Sequence, residues 1–340
     1  MTVRVGINGF GRIGRSFVRA ALRSGADVEI VALNDLTSPE TNAHLLRYDS
    51  TQGRLDVEVR TEDGALIIGD HRVAVYSERD PAALPWGELG VDVVIESTGR
   101  FTKREEAAAH LSGGARKVII SAPATGADAT FVVGVNDDQY DPAEHHIVSN
   151  ASCTTNCFVP MVKVLDDAFG VVSGLMTTVH AYTNDQSLLD VAHSDLRRAR
   201  AAAVNIVPSS TGAARATGLV LQAMQGRLDG TSLRVPIPTG SITDFTAVVK
   251  GTPTVEAINA AYERAGASGR LSGVLVYTED PIVSSDIVGS PASCTYDAGL
   301  TMVQSIDDET TLVKVLGWYD NEWGYSNRLV DLTGIVGAKA

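Results

Sequence analysis

Val3-Arg4-Val5-Gly6-Ile7-Asn8-Gly9-Phe10-Gly11-Arg12-Ile13-Gly14-Arg15 is the stretch on which the fold of this chain turns. Val3, Val5 and Ile7 alternate as in a short strand, and Ile13, Phe17, Ala20 and Ala21 recur at helical spacing. The glycines therefore sit between a strand and a helix. At such a junction Gly9 allows a tight turn, Gly11 lets backbone approach a pyrophosphate, and Gly14 permits close helix–strand packing. The helix N-terminus then faces the phosphates, and Phe10, Arg12 and Ile13 complete the loop. A second strand, 28–33, ends at Asn34-Asp35. Asp35 lies about 20 residues beyond the last glycine, the distance expected of a carboxylate that grips an adenosine ribose. The glycine pattern alone is weak. Strand, helix and spaced acid together point to dinucleotide binding rather than to a turn beside an unrelated acid.

More α/β pattern follows. Residues 91–95 read as a continuous apolar strand ending in Glu96-Ser97-Thr98-Gly99, and ligands of open parallel sheets collect at such strand ends. Residues 103–111 read as a helix, 118–120 as a strand entering Ser121-Ala122-Pro123, and 131–135 and 147–149 as further strands. The alternating stretch 48–75 predicts an antiparallel excursion. Beyond Asn150 the style changes: a helix from Thr154 toward Phe169 contains Pro160, and strand-like runs recur at 175–183, 233–237, 242–250, 274–277, 301–305 and 312–316. Only one clear helix, 255–265, intervenes among the later runs, which predicts an antiparallel sheet. The fold class is thus α/β, a Rossmann-type nucleotide-binding domain followed by an α+β domain with a mainly antiparallel sheet.

Chemistry gathers in the second half. Ala151-Ser152-Cys153-Thr154-Thr155-Asn156 places a thiol among small polar residues, after a strand and at the start of a helix. The dipole and N–H groups of a helix N-terminus favour thiolate over thiol. His180 follows on a strand flanked by Thr177, Thr178, Tyr182 and Thr183; beside a thiolate its imidazolium would be stabilised, and it could relay protons. Cysteine with a distant histidine is a nucleophile–base pattern. Ser209-Ser210-Thr211-Gly212-Ala213-Ala214 reads either as an anion site before a helix or as a helix cap that needs one hydroxyl. Arg234, on a strand, would add a bidentate clamp. Arg197-Arg198-Ala199-Arg200 meets a small anion or lies on an intersubunit face. Cys157, four residues after the first thiol, either approaches it or packs.

Composition narrows the classes. With 340 residues and 44% hydrophobic content the chain can build two sizeable cores. A formal net charge of −13 disfavours nucleic acid as the main partner. Apolar runs are strand-sized, so no membrane span is expected. The first residues lead straight into a strand, leaving no room for a secretory leader. Three cysteines do not make a disulfide framework, and a reducing cytoplasm is the expected compartment. No metal site is expected.

Four ordered segments carry a resemblance that runs from end to end. They are Asn8-Gly9-Phe10-Gly11-Arg12-Ile13-Gly14-Arg15, Ser149-Asn150-Ala151-Ser152-Cys153-Thr154-Thr155-Asn156, His180-Ala181-Tyr182-Thr183-Asn184-Asp185-Gln186, and Trp318-Tyr319-Asp320-Asn321-Glu322-Trp323-Gly324-Tyr325. The chain resembles the phosphorylating glyceraldehyde-3-phosphate dehydrogenases. That resemblance implies Cys153 as nucleophile and His180 as acid/base partner, with glyceraldehyde 3-phosphate, inorganic phosphate and NAD as reactants. Asp35 would hold the ribose and Asn321 the nicotinamide carboxamide, with Ser97, Thr98, Gly99, Ser121 and Tyr325 completing the cofactor site. Thr183 and Arg234, helped by Arg198, would bind the substrate phosphate; Ser152, Thr211 and Gly212 would receive inorganic phosphate, and Thr154 would belong to the substrate and phosphate site.

The resemblance further implies a homotetramer in which the loop 186–203 borders a neighbour's cofactor. It implies a nucleotide domain over 1–151, completed by a C-terminal helix within 318–340 that packs back on it, and a catalytic domain over 152–317. Two departures stand out. Val191-Ala192 replaces the family's usual Leu-Pro, which opens tolerance of NADP, while the charge of Asp35 favours NAD. Phe158 replaces a smaller aliphatic residue. Erythrose-4-phosphate dehydrogenase, and a noncatalytic NAD-binding redox sensor, are the alternative readings.

Overall fold

The computed structural model describes residues 2–340 and divides into two compact units, Met1–Ser152 with Ser326–Ala340, and Cys153–Tyr325. The first unit is built on a nine-stranded sheet. Its centre is parallel: Val3–Asn8 pairs with Val28–Asn34 on one side and with Val93–Glu96 on the other, followed outward by Lys117–Ile120 and Ile147–Ser149. Strands Val93–Glu96 and Lys117–Ile120 are buried along their whole length because both faces are covered, which explains their continuous apolar runs. Helix Arg12–Ser24 ends at Gly25 in the left-handed region, the usual glycine stop.

The predicted antiparallel excursion is present. Val59–Glu62, Ala65–Ile68 and His71–Tyr76 form a meander whose last strand joins the main sheet parallel to Val28–Asn34, and Tyr48–Asp49 pairs with Gly53–Arg54. The expected strand at 131–135 is not. Only Ala129–Thr130 pairs, and the chain then turns. Asn136 captures it, its Oδ1 accepting from Val132 N–H at 2.8 Å and its Nδ2 donating to Thr130 O at 2.9 Å. The apolar side chains are buried from a turn instead of a strand. Residues 103–111 form two short helical pieces, Arg104–Ala107 and Ala109–Ser112.

The second unit holds an eight-stranded sheet that is mainly antiparallel, with two parallel pairs. Val171–Ala181 runs parallel to Leu228–Val235, and Leu275–Thr278 parallel to Cys294–Asp297. Ser241–Lys250 and Thr310–Tyr319 alternate buried and less buried residues. Their buried face receives the helix Cys153–Phe169, where Phe158 meets Phe245 edge-on with ring centroids 4.8 Å apart. A Cβ at Gly174 would sit 2.5 Å from Phe245, so that position admits the ring only as glycine. Residues 318–325, expected with the first unit, belong to the second. Trp318 and Tyr319 finish a central strand there, and Asn321 bonds to Gly240 and Ser241. Helix Trp323–Gly337 contributes its residues from Ser326 onward to the first unit, where a Cβ on Gly337 would meet Val3 at 2.2 Å.

Candidate active site

In the first unit the strand Val3–Asn8 and the helix Arg12–Ser24 meet at a glycine turn. Gly9 has φ +92°, and a Cβ there would lie 2.6 Å from the Thr98 nitrogen. A Cβ at Gly14 would strike the Gly9 carbonyl at 2.3 Å, whereas one at Gly11 would meet nothing within 4 Å. The turn is thus packed from below and open above, and no side chain caps the helix. A phosphate group fits this cradle. Asp35 accepts from Phe10 N–H at 2.8 Å and from Thr37 N–H at 2.9 Å, one bond per carboxylate oxygen, which leaves lone pairs for ribose hydroxyls. The Arg12 guanidinium is held by Asp49 and Thr51, and it keeps the Asp49 carboxyl well below its ordinary range against the opposing effect of burial. The Ser97 hydroxyl donates to Gly9 O at 2.6 Å, and the Thr98 hydroxyl turns inward to Glu96. Both serve the turn itself. Ser121 N–H donates to Glu96 O at 2.9 Å, and Gly99, at φ +72°, is exposed.

At the end of strand Ile147–Ser149 the chain passes through Ala151, a non-glycine residue at φ +55°, in the sparsely populated left-handed region where strain collects at functional sites. Ser152 is half-buried and closes the first unit.

Cys153 opens the second unit and the helix Cys153–Phe169. Its Sγ lies 3.4 Å from His180 Nε2. Burial pushes the thiol up, while the Arg234 charge, the Thr154 hydroxyl and the N–H groups of residues 153 and 154 pull it back. His180, 4% exposed, is driven down to about 4, first by burial and then by the Arg234 guanidinium. The resting pair is therefore thiol and neutral imidazole. The imidazolium–thiolate pair expected from the motif is reversed because the ring is buried with a fixed cation beside it, and desolvation of the half-buried sulfur outweighs that cation's pull on the thiol.

The tautomer follows from contacts. His180 Nδ1 has an acceptor, Ala181 O, at 2.6 Å and a donor, Arg234 Nη1, at 3.0 Å; the shorter contact assigns the proton to Nδ1, so Nε2 faces the sulfur as a base. Arg234 Nη1 has its own acceptors in Ala181 O and Thr183 Oγ1, both at 3.2 Å.

Around Arg234 the structure gathers Thr183, Asp185 and Arg198. The Thr183 hydroxyl donates to Asp185, whose other oxygen accepts from Arg198 Nη1 at 2.5 Å. Partial burial would raise the Asp185 carboxyl; the Thr183 hydroxyl, Arg234 and Arg198 outweigh it and hold the group low. Thr211 Oγ1 accepts from Ala213 N–H at 3.2 Å and steadies the start of helix Ala213–Val220, beside exposed Gly212. Asn321 Oδ1 accepts from Gly240 N–H at 3.2 Å and from the Ser241 hydroxyl at 3.0 Å, while the Thr239 hydroxyl gives its one proton to Asp320 at 2.9 Å; the amide is fixed and Nδ2 is the group it can offer. Tyr325 is buried in the second unit.

Thr154, expected on the anion side, is buried beneath the sulfur, and its hydroxyl meets Tyr319 at 2.9 Å. Cys157 is a packing residue: its Sγ contacts Gly317 O at 3.6 Å and Met161 Sδ at 4.0 Å.

Models of the glyceraldehyde 3-phosphate dehydrogenase NAD binding domain and C-terminal domain match residues 3–104 and 152–321. The chain belongs to the glyceraldehyde-3-phosphate dehydrogenase family. Similar proteins include glyceraldehyde-3-phosphate dehydrogenase of Streptomyces coelicolor, 62% identical over 99% of each chain. Glyceraldehyde-3-phosphate dehydrogenase 1 of Streptomyces avermitilis is 63% identical and the Mycobacterium avium enzyme 60%, each again over 99% of both chains.

Two residues beside this candidate site stood in the quoted segments but were given no role by the sequence reading. Asp185 ties together the arginines, and only its place two residues after Thr183 hinted at it. The Tyr319 hydroxyl bridges Thr154 and Thr178, at 2.9 and 2.7 Å, and its ring stands T-shaped to His180. Its place in the segment 318–325 gave no hint of these long-range contacts.

Proposed function

We propose that this chain oxidises D-glyceraldehyde 3-phosphate with NAD and inorganic phosphate, giving 1,3-bisphosphoglycerate. The observation that carries the reading is the 3.4 Å contact between Cys153 Sγ and a neutral His180 Nε2 beside the Arg234 guanidinium. As sulfur attacks the aldehyde carbon, its proton passes to His180 and on to the carbonyl oxygen, and a thiohemiacetal forms. Bound NAD supplies the hydride acceptor. His180 takes the hydroxyl proton as the carbonyl re-forms, leaving a thioester on Cys153. A phosphate oxygen then adds to the acyl carbon, the carbon–sulfur bond breaks, and the proton on His180 returns to sulfur.

Two anions must be held at one carbon. Arg234, Thr183 and Arg198 are the groups for the substrate phosphate, and Thr211 with the Gly212 backbone for the attacking one. Asp35 and Asn321 support NAD through ribose and carboxamide, and exposed Val191 leaves NADP tolerance to be measured. Exposed apolar residues in the loop and just after it, Leu188, Leu189, Leu196, Val204 and Ile206, support a homotetramer, since so many large apolar side chains in one segment favour a covering partner. No helix among the described residues is long and apolar enough to cross a membrane. A reactive, unpaired thiol suits a reducing cytoplasm.

Cys153→Ser should abolish NADH formation from the triose phosphate and leave NAD binding intact; retained turnover would refute the assignment. Running the tetrose phosphate in parallel tests the erythrose-4-phosphate alternative. A stoichiometric NADH burst from enzyme and aldehyde excludes a pure sensor.

A further inference from the structure

A hydrogen-bonded chain beneath the glycine turn of the first unit has a direction that can be read, because both ends are fixed. At one end Trp86 Nε1, a donor only, reaches Nδ1 of fully buried His110 at 3.0 Å. Nδ1 is therefore an acceptor and the imidazole neutral, and Nε2–H donates to Glu96 Oε2 at 3.0 Å. At the other end the Glu78 backbone sets Asn34, its N–H donating to Oδ1 at 2.7 Å and its carbonyl accepting from Nδ2 at 2.8 Å. Asn34 Nδ2 donates in turn to Asn8 Oδ1 at 2.7 Å, which directs Asn8 Nδ2 to Glu96 Oε2 at 2.6 Å.

The second carboxylate oxygen accepts from Thr98 N–H at 2.8 Å and from the Thr98 hydroxyl, which itself accepts from Arg100 N–H at 3.1 Å. Four donors, none charged, converge on Glu96, which is 2% exposed. Its acceptor capacity is met, and among the described residues no lysine or arginine is bonded to it.

The position of this carboxylate matters. Asn8 and Glu96 are register partners at the ends of adjacent parallel strands, Val3–Asn8 and Val93–Glu96. From Val3–Asn8 the chain continues to Val28–Asn34 on one side, while Val93–Glu96 lies on the other. This is the switch point of the sheet, where a dinucleotide crevice forms. Gly9 and Ser97 follow at once, and the turn at Gly9 rests on the Ser97–Thr98 backbone that Glu96 holds.

We propose that Glu96 is a positioning residue of the cofactor site that also supplies a fixed negative charge to the crevice floor, so that the site prefers NAD to NADH. The proposal rests on the reading of the chain as an NAD enzyme. The two cofactor forms share the ribose and pyrophosphate contacts and differ by one positive charge on the nicotinamide. A buried anion without a counter-cation is little screened by solvent or salt, and so it distinguishes them.

The test is calorimetric titration of Glu96→Gln with NAD and with NADH. The expected result is a loss of roughly fivefold or more in NAD affinity relative to NADH. Equal losses for both would make Glu96 a brace alone and overturn its electrostatic role, and unchanged affinities would overturn the whole proposal. Should the variant fail to fold, ¹⁵N-histidine spectra of the unaltered chain at pH 7 decide: His110 is expected as the neutral Nε2–H tautomer, and an imidazolium would cancel the charge. No binding of either dinucleotide to the unaltered chain would overturn the proposal together with the reading beneath it. That outcome is told apart because it precedes the substitution.

Discussion

Replacing Arg234 by glutamine separates its charge from its place in the fold. Arg234 Nη1 lies 3.0 Å from His180 Nδ1, and its charge is the second cause, after burial, of the depressed histidine. A full charge about 4 Å away in an effective dielectric of about 20 is worth about 4 kcal/mol, or about 3 pKa units, which sets a ceiling. The whole displacement is 2.5 units, from 6.5 to about 4, and burial leads it. Arg234 follows burial, and the Ala181 carbonyl and Asp185 oppose both; we take its removal as worth about 1 unit, or ~1.4 kcal/mol, well under that ceiling. In Arg234→Gln the base should titrate near about 5, so at pH 5 about half of it is available, against about nine-tenths in the unaltered enzyme. The assay is the pre-steady-state NADH burst with unphosphorylated glyceraldehyde, which removes phosphate binding from the comparison. Its acid limb should move up by about one pH unit. Because Arg234 also pulls the Cys153 thiol down, the neutral-pH burst should slow in the same variant. An acid limb that stays put or moves down would refute the electrostatic account of the pair.

Three further outcomes are expected. In calorimetric or denaturant unfolding of the free protein, stability should fall as pH drops from 6.5 toward about 4, by up to about 3 kcal/mol, because unfolded His180 takes a proton that the buried ring refuses. His180→Asn should flatten that slope, and an unchanged slope would contradict the burial argument. Asn321→Asp keeps an oxygen for the donors of Gly240 and Ser241 but removes Nδ2, so NAD affinity should fall about tenfold with the thermal midpoint little changed. Equal loss of stability and affinity would deny Nδ2 its role. Gly317→Ala would press a methyl to 2.6 Å from both Cys294 Sγ and Met161 Sδ, costing about 1–3 kcal/mol and lowering the thermal midpoint with the active-site contacts intact; an unshifted midpoint would show that the sulfurs yield freely.

The elements that could be read in the sequence are those whose signal is local. Alternation exposed Val3–Asn8, helical spacing exposed Arg12–Ser24, and the distance to Asp35 needed only counting. Where a side chain reaches across the chain, local pattern misleads. Residues 131–135 are apolar enough for a strand, yet Asn136 claims Val132 N–H and Thr130 O and turns the backbone. Cys294–Asp297 is buried at every position, so no alternation marked it. Thr154 has a hydroxyl suited to an anion, and its fate was decided by Tyr319, 165 residues away.

Charge state is the property that motif reading handles least well, and the pair Cys153 and His180 shows why. Cysteine at a helix N-terminus with histidine nearby argues for thiolate and imidazolium, since each local effect has that sign. Two non-local effects oppose it. Strand pairing sets His180 opposite Arg234 in a parallel register, which fixes a guanidinium beside the ring, and the buried Tyr319 completes a dry pocket. A cation beside a base that must gain a proton weakens that base, but the same cation lowers the thiol that must lose one. Arg234 thus biases both partners toward giving up protons, so in the proposed reaction a proton passed from sulfur to His180 would be held only transiently, during attack. A base near 4 returns its proton readily, which the leaving thiolate requires when phosphate releases the acyl group.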